Sequence, residues 1–399
     1  MGDFMMILAL FSMCCAASEA PGLPVQWDME CLSRPPAIYP AEEFEAEGVR
    51  ALFYEGLPYE GKPTRVFAWM GIPDHAEGER VPGMVLVHGG GGTAFDEWVR
   101  VWTQRGYAAI AMDMDGTVPK GEHGSRPTHE FSGPTNFGSA SPMTGAKEDY
   151  WVYHAVADIV LAQSLLGSQP DVDSERIGLT GISWGGFLTN IAAAVDARFR
   201  FAVPVYGCGY INEVSWKGDF ENMGPEKAEE WMRLWDPSQY VAAIAIPTLW
   251  INGANDPHYH LGVHSRTYLQ AGGTKTLSIQ PGLGHSHPAG WAPREIYAYA
   301  DSALKDGAPL IRIIAEGGEA TSAMAVFEGG TPAKAELLWT RDASDWVAAV
   351  WERLPVSIED NRVVAELPEE CAAYFINLTD NRGLITSSVC RVRKQTAPE

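Results

Sequence analysis

Gly181-Ile182-Ser183-Trp184-Gly185 is the stretch of this sequence best suited to covalent chemistry. The apolar run Arg176–Thr180 before it reads as a short buried strand, and Gly186–Ala194 after it reads as a helix. On a tight strand-to-helix turn, glycine is needed on both sides of the serine, since a side chain there would strike the neighbouring strand or helix. Such a turn lifts the hydroxyl above the sheet edge and sets the next backbone N–H, that of Trp184, beside a developing oxyanion. The five-residue pattern is common by chance in a chain with 41 glycines; its flanking strand and helix give it weight.

A nucleophilic serine needs a base, an acid to orient the base, and a second oxyanion donor. In the hydrolases that such an elbow resembles, these follow in the order serine, acid, histidine, each beyond a strand. Asp256 follows the strand-like Pro247–Asn252, and His285 follows the strand-like Thr276–Ile279. His285, first after its strand, is the candidate base; His287 is the alternative and otherwise a neighbour that shapes the pocket. His88-Gly89-Gly90-Gly91-Gly92 ends another apolar strand and precedes a helix, so Gly90 or Gly91 is the expected partner donor to Trp184. The same glycines could cradle a phosphate, but neither G-x-G-x-x-G with a distal acid nor G-K-[ST] is present. A zinc hydrolase reading of His258-Tyr-His260 and His285-Ser-His287 lacks an H-E-x-x-H helix and an evident third ligand. Asp113 and Asp115 could line the mouth of the pocket or simply build a turn. Trp184, Trp216, Trp231 and Trp291 are candidate sugar-stacking platforms, although most tryptophans serve cores.

The elements that must position these groups alternate along the chain. Strands are expected over Thr64–Met70, Gly83–His88, Tyr107–Met112 and Phe201–Tyr206, and again at the acid and histidine positions. Helices are expected over Phe95–Gln104, Gly262–Ala271 and Pro293–Leu304, with a strongly amphipathic one from Glu148 to Leu166. This predicts an α/β fold with a doubly wound, mostly parallel sheet over residues 21–306. Pro21 to Tyr59 reads as a proline-rich lead-in, 113–145 as a long functional loop, and 207–240 as a candidate cap. After Asp306-Gly307-Ala308-Pro309, only short β-like runs follow, at Ala323–Phe327, Ala335–Thr340, Val347–Trp351 and Ala373–Leu378. They predict a small immunoglobulin-like β-sandwich over 310–395.

With 399 residues the chain can bury two cores, and its net charge of −22 argues against a nucleic-acid partner. Phe4–Ala17 is apolar but too short to span a bilayer, and small residues follow it. Residues 1–20 are therefore expected to be a signal peptide, the mature protein secreted or periplasmic and without a membrane span. Cys371 and Cys390 flank the turn Asp380–Gly383, so a cross-strand disulfide or two separate buried thiols are both open. Oligomeric state is not readable.

Taken together, His88–Gly92, Gly181–Gly186, Asp256 and His285 resemble the α/β-hydrolase superfamily over about Val49–Lys305. Within it the chain resembles exported bacterial dienelactone-hydrolase-like and acetyl xylan esterase-like serine hydrolases. His285-Ser286-His287-Pro288-Ala289-Gly290-Trp291 is similar to a stretch found in some of them. The C-terminal β part resembles the sandwich of PhoPQ-activated pathogenicity-related proteins. Dienelactone hydrolases proper carry a cysteine where this chain has Ser183, which points to an esterase. The resemblance implies a serine carboxylesterase acting on small-molecule or carbohydrate esters, acetylated carbohydrate among them, with no metal or organic cofactor. A prolyl-oligopeptidase-type serine peptidase and a non-catalytic binding protein on the same scaffold are the alternatives.

Overall fold

Uninterrupted apolar runs form the centre of a nine-stranded sheet, because strands covered by helices on both faces have no solvent side to mark with polar residues. The structure, a computed structural model, describes residues 22–393 apart from 137 and 320. The expected leader over 1–20, with Cys14 and Cys15, lies outside the described residues. The strands are β1 (Ile38–Ala46), β2 (Val49–Glu55), β3 (Arg65–Gly71), β4 (Val81–Val87), β5 (Ala108–Met112), β6 (Val172–Ile182), β7 (Ala202–Val205), β8 (Thr248–Gly253) and β9 (Lys275–Gln280). Their order is β1-β2-β3-β5-β4-β6-β7-β8-β9. From β5 to β9 all neighbours are parallel, whereas β1, β2 and β3 join antiparallel. The α/β-hydrolase sheet expected from the sequence is the one observed.

Val85 and Val87 of β4 enter the core on one face of the sheet, Met84 and Leu86 the core on the other. From β4 the chain passes to β5 on one side and then to β6 on the other. The ends of β4 and β6 therefore open side by side at a topological switch point.

Two expectations for this part need correction. The proline-rich lead-in, where weak periodicity marks no strand, holds two: β1 and β2 form an antiparallel hairpin at the sheet edge. Acidic residues alternate poorly there because β1 is half exposed on both faces. The helix Trp151–Gly167 is not amphipathic but buried on nearly every side. The segment before β1 covers its outer face: Trp27 Nε1–H donates to the Tyr153 carbonyl at 2.9 Å, and Ser164 Oγ to the Leu32 carbonyl at 2.7 Å.

After the helix Arg294–Leu304, the chain forms two antiparallel sheets. One holds β10 (Arg312–Gly317), β11 (Ser322–Glu328), β15 (Arg362–Glu366) and β14 (Ile358–Glu359). The other holds β13 (Glu352–Pro355), β12 (Lys334–Thr340), β16 (Ala373–Thr379) and β17 (Ile385–Ser387), with β18 (Arg391–Val392) also on β16. Ala325, Phe327 and Val363 from the first sheet meet Leu337, Trp339 and Ile376 from the second in a separate core. The apolar Val347–Trp351 is loop, not strand, since Val347 and Val350 are exposed.

Register separates the two cysteines of this region. Tyr374 pairs with Arg391, which sets Cys390 level with Phe375, four residues along the strand from Cys371. The side chains enter different cores, and both are thiols. Among the described residues no helix is long and apolar enough to cross a membrane.

His264, in the helix Leu261–Gln270, is fully buried against Trp250, and neither ring nitrogen has a hydrogen-bond partner among the described residues. Burial lowers its pKa to about 4. Between pH 6 and 4.5 the unfolded chain thus binds a proton at this position that the folded chain excludes, and stability falls as pH falls. We predict that His264→Phe flattens the dependence of unfolding free energy on pH in this window by about 1.4 kcal/mol per pH unit. Urea unfolding at several pH values measures it.

Candidate active site

Ser183 stands between β6 and the helix Trp184–Val195 with φ 58° and ψ −117°, a left-handed conformation rare for any residue but glycine. The backbone around it is too crowded for side chains. A Cβ on Gly181 would lie 2.2 Å from the Gly185 carbonyl oxygen, and one on Gly185 2.2 Å from that of Val87. The chain turns sharply there, and Ser183 is the residue left projecting into the pocket.

Ser183 Oγ lies 2.9 Å from His285 Nε2, and His285 Nδ1 lies 2.7 Å from Asp256 Oδ2. Nδ1–H donating to the carboxylate leaves Nε2 to accept the serine proton. The other carboxylate oxygen, Oδ1, accepts the backbone N–H groups of His258 and Tyr259 at 2.9 and 2.7 Å. Asp256 is thus fully buried yet satisfied on both oxygens. The His285 ring is held between Tyr206 and His258, with centroids at 4.2 and 4.6 Å. Tyr206 Oη–H donates to the Ser286 carbonyl at 2.5 Å, fixing the loop that carries His285.

His287 faces the glycine loop instead of the serine. Its Nε2 accepts the Gly89 N–H at 2.9 Å, and its ring packs on Phe95 with centroids 4.7 Å apart. Burial, then the neighbouring His88, pushes its pKa down to about 3, so it stays a neutral acceptor. Beyond it, Gly90 and Gly91 line the pocket with Trp184. A Cβ on Gly90 would meet Trp184 Cδ1 at 2.7 Å and Gly138 Cα at 2.8 Å, so this wall is also a backbone approach. Among the described residues none accepts a hydrogen bond from the Gly90, Gly91 or Trp184 amide. These are the donors an oxyanion site requires.

The remaining candidates divide. Trp184 and Trp216 line the pocket, whereas Trp231 is buried in the 207–240 segment and Trp291 stacks on Trp98. Asp113 and Asp115 are buried, not at the mouth. Asp113 takes the Asp115 and Thr117 N–H groups and the Thr117 hydroxyl, building the turn after β5. His88 is buried beneath the glycine loop, its Nδ1–H donating to the Gly89 carbonyl at 2.7 Å. From sequence, His258 suggests only a metal ligand, and nothing singles out Tyr206 or His123. His258 and His123 line the pocket; burial, and then His285, lowers the His258 pKa. A signal was present for His258, two residues after the acid on the same loop. Among the described residues no group of three or more His, Cys, Asp or Glu is arranged to hold a metal.

The pocket measures about 310 Å³, and among the described residues neither a carboxylate nor a Lys or Arg side chain lines it. A larger concavity of about 1010 Å³ lies along β1 and β2, away from these groups.

The sequence matches the acetyl xylan esterase (AXE1) family over residues 36–245, and the PhoPQ-activated pathogenicity-related protein family over residues 210–346. Among curated relatives, the uncharacterized peptidase YuxL of Bacillus subtilis is 28% identical over 207 residues, 48% of this chain and 28% of its own length. The uncharacterized protein PA2218 of Pseudomonas aeruginosa is 33% identical over 138 residues, 33% of this chain and 30% of its own. The chain thus spans under a third of the length of these relatives. The solved acetyl xylan esterase from Paenibacillus sp. R4 superposes with a TM-score of 0.53 at 19% identity, over 69% of this chain and 92% of that one. Acetyl xylan esterase 1 from Thermoanaerobacterium sp. JW/SL YS485 gives 0.51 at 17%, with the same coverage. These likenesses show the fold.

Because the elbow is a backbone approach, Gly185→Ala is expected to cost about 3 kcal/mol of stability and to stop Ser183 from reacting with a fluorophosphonate. Thermal melting and probe labelling of the same preparation read both.

Proposed function

The chain belongs to the acetyl xylan esterase family, and from that premise we propose that it is a serine carboxylesterase cleaving acyl esters, those of acetylated carbohydrate among them. The observation that carries this reading is the hydrogen-bonded series Ser183–His285–Asp256, at 2.9 and 2.7 Å. In the proposed reaction Ser183 Oγ attacks the ester carbonyl while its proton passes to His285 Nε2. Asp256 holds the imidazole in the tautomer that can receive that proton and stabilises the imidazolium. The oxyanion is received by the Trp184 amide and that of Gly90 or Gly91. His285 then returns the proton to the leaving alcohol oxygen as the carbon–oxygen bond breaks. Water, deprotonated by His285, releases the acyl group and regenerates the serine.

The pocket favours an uncharged substrate. Among the described residues no Lys, Arg, Asp or Glu side chain lines its wall to pair with a charged acyl group, and aromatic Trp184 and Trp216 beside polar His123 and His258 suit a neutral, hydroxyl-bearing alcohol. Likeness to a Bacillus subtilis protein named as a peptidase supports a second reading, a serine peptidase. The lining bears on this too, because capture of a free peptide amino terminus would call for a carboxylate there. Export to the periplasm or medium, as expected from residues 1–20, is part of the proposal.

With p-nitrophenyl acetate, Ser183→Ala and His285→Ala are each expected to lower kcat by about 10⁴-fold, and His287→Ala by about ten-fold through the loosened glycine loop. Acetylated xylo-oligosaccharides and aminoacyl amides assayed side by side decide the substrate class: turnover of the amides alone would sink the esterase reading.

A further inference from the structure

The loop that carries Asp256 is held from outside the hydrolase sheet. Asn255, the residue before it, directs its side-chain amide at three backbone carbonyls of the loop between β12 and β13. Nδ2 lies 3.1 Å from the Trp346 oxygen, 3.1 Å from that of Val347 and 2.7 Å from that of Ala349. Three carbonyls converging on one amide require a turn of fixed shape. Asp345 supplies it, its Oδ1 accepting the Val347 and Ala348 N–H groups at 3.0 and 3.1 Å.

A second contact lies on the other side of the acid. The His260 ring stacks on Trp346 with centroids 5.6 Å apart and planes within 4°. Trp346 stacks in turn on Trp351, and Trp351 sits edge-on to Phe375 in the main core. Asn255 and His260 thus bracket the stretch whose His258 and Tyr259 amides hold the Asp256 carboxylate.

We propose that this loop of the C-terminal β unit is a brace for the acid, with Asn255 and Trp346 as positioning residues acting through Asp256 on His285. The inference rests on the esterase reading. Asp256 must keep its Oδ2 within 2.7 Å of His285 through both acylation and deacylation. A drift of the loop by a fraction of an ångström therefore slows turnover without altering the pocket wall.

The test uses the full chain and p-nitrophenyl acetate. Asn255→Ala is expected to lower kcat about ten-fold with KM within about two-fold. Asn255→Asp, equal in size but facing three carbonyl oxygens with a carboxylate and no donor, is expected to lower kcat further, about 30-fold. Trp346→Ala is expected to lower it about five-fold. Phe327→Leu, in the separate core of the β unit, serves as control: it lowers the melting temperature and leaves kcat unchanged.

Wild-type kcat in Asn255→Ala overturns the brace. So does a fall of kcat in Phe327→Leu that bears the same proportion to its loss of melting temperature as in Asn255→Ala. If Ser183→Ala retains activity, the esterase reading itself has failed, and that result is separable from either of the others.

Discussion

At the end of β6 the backbone passes so close to β4 and to the following helix that the structure has room for hydrogen but not for carbon. A Cβ on Gly181, Gly185 or Gly207 would lie between 2.2 and 2.3 Å from backbone of the helix or of β4. The approach is tolerable only because glycine fills these positions, and it leaves Ser183 strained in a region its side chain disfavours. That strain persists because parallel pairing of β6 with both β4 and β7 fixes the strand, and a fully buried helix fixes the other end. The glycine loop after β4, the pocket and the histidine loop are all arranged around a serine that can sit nowhere else.

Electrostatically the site runs on one buried carboxylate. In a dry setting, two amides and an imidazole N–H meet the oxygens of Asp256, which replaces the hydrogen bonds of the water it has lost. Around it the histidines differ by what they touch. Burial keeps His287 neutral and able to accept from Gly89, and burial next to His285 lowers the His258 pKa as well. Despite the net charge of −22, no acidic side chain among the described residues lines the pocket wall.

Much of this was readable in the residues, for a physical reason. Central strands such as β4 and β5 are apolar without interruption, and the glycines of the elbow are demanded by sterics that act within a few residues. Asp256 and His285 were located by chain position, each just beyond a strand end. What stayed hidden depends on contacts remote in sequence. The β1–β2 hairpin lacks alternation because it lies at an edge. The helix Trp151–Gly167 loses its polar face because Trp27 and Leu32 cover it. Val347–Trp351 has the composition of a strand, yet Trp351 is anchored to Phe375, and Trp346 just before the run to His260, while its valines face solvent. Tyr206 and His258 acquire their place only when β7 and β8 bring them to either side of His285.

The C-terminal unit is joined to the hydrolase sheet too closely to be an appended module. β16 is buried on both faces, with Tyr374 and Ile376 in the sandwich core and Ala373 and Phe375 in the main core. β9 is the terminal strand of the large sheet, and its outer edge would otherwise offer unpaired backbone groups to another chain. Asn377 and Ser387 meet that edge instead: Asn377 Nδ2 donates to the Ile279 carbonyl at 3.1 Å, and Ser387 Oγ accepts the Ile279 N–H at 2.8 Å. The strand so covered leads directly into the loop of His285, and the neighbouring strand β8 leads into that of Asp256. Asp256 and His285 thus follow the last two strands of the sheet, of which β9 meets the β unit, while Ser183 follows a strand at the sheet centre. Ser183 is flanked by paired strands on both sides, whereas Asp256 and His285 lie toward an edge, where the β unit adds a further layer against the sheet.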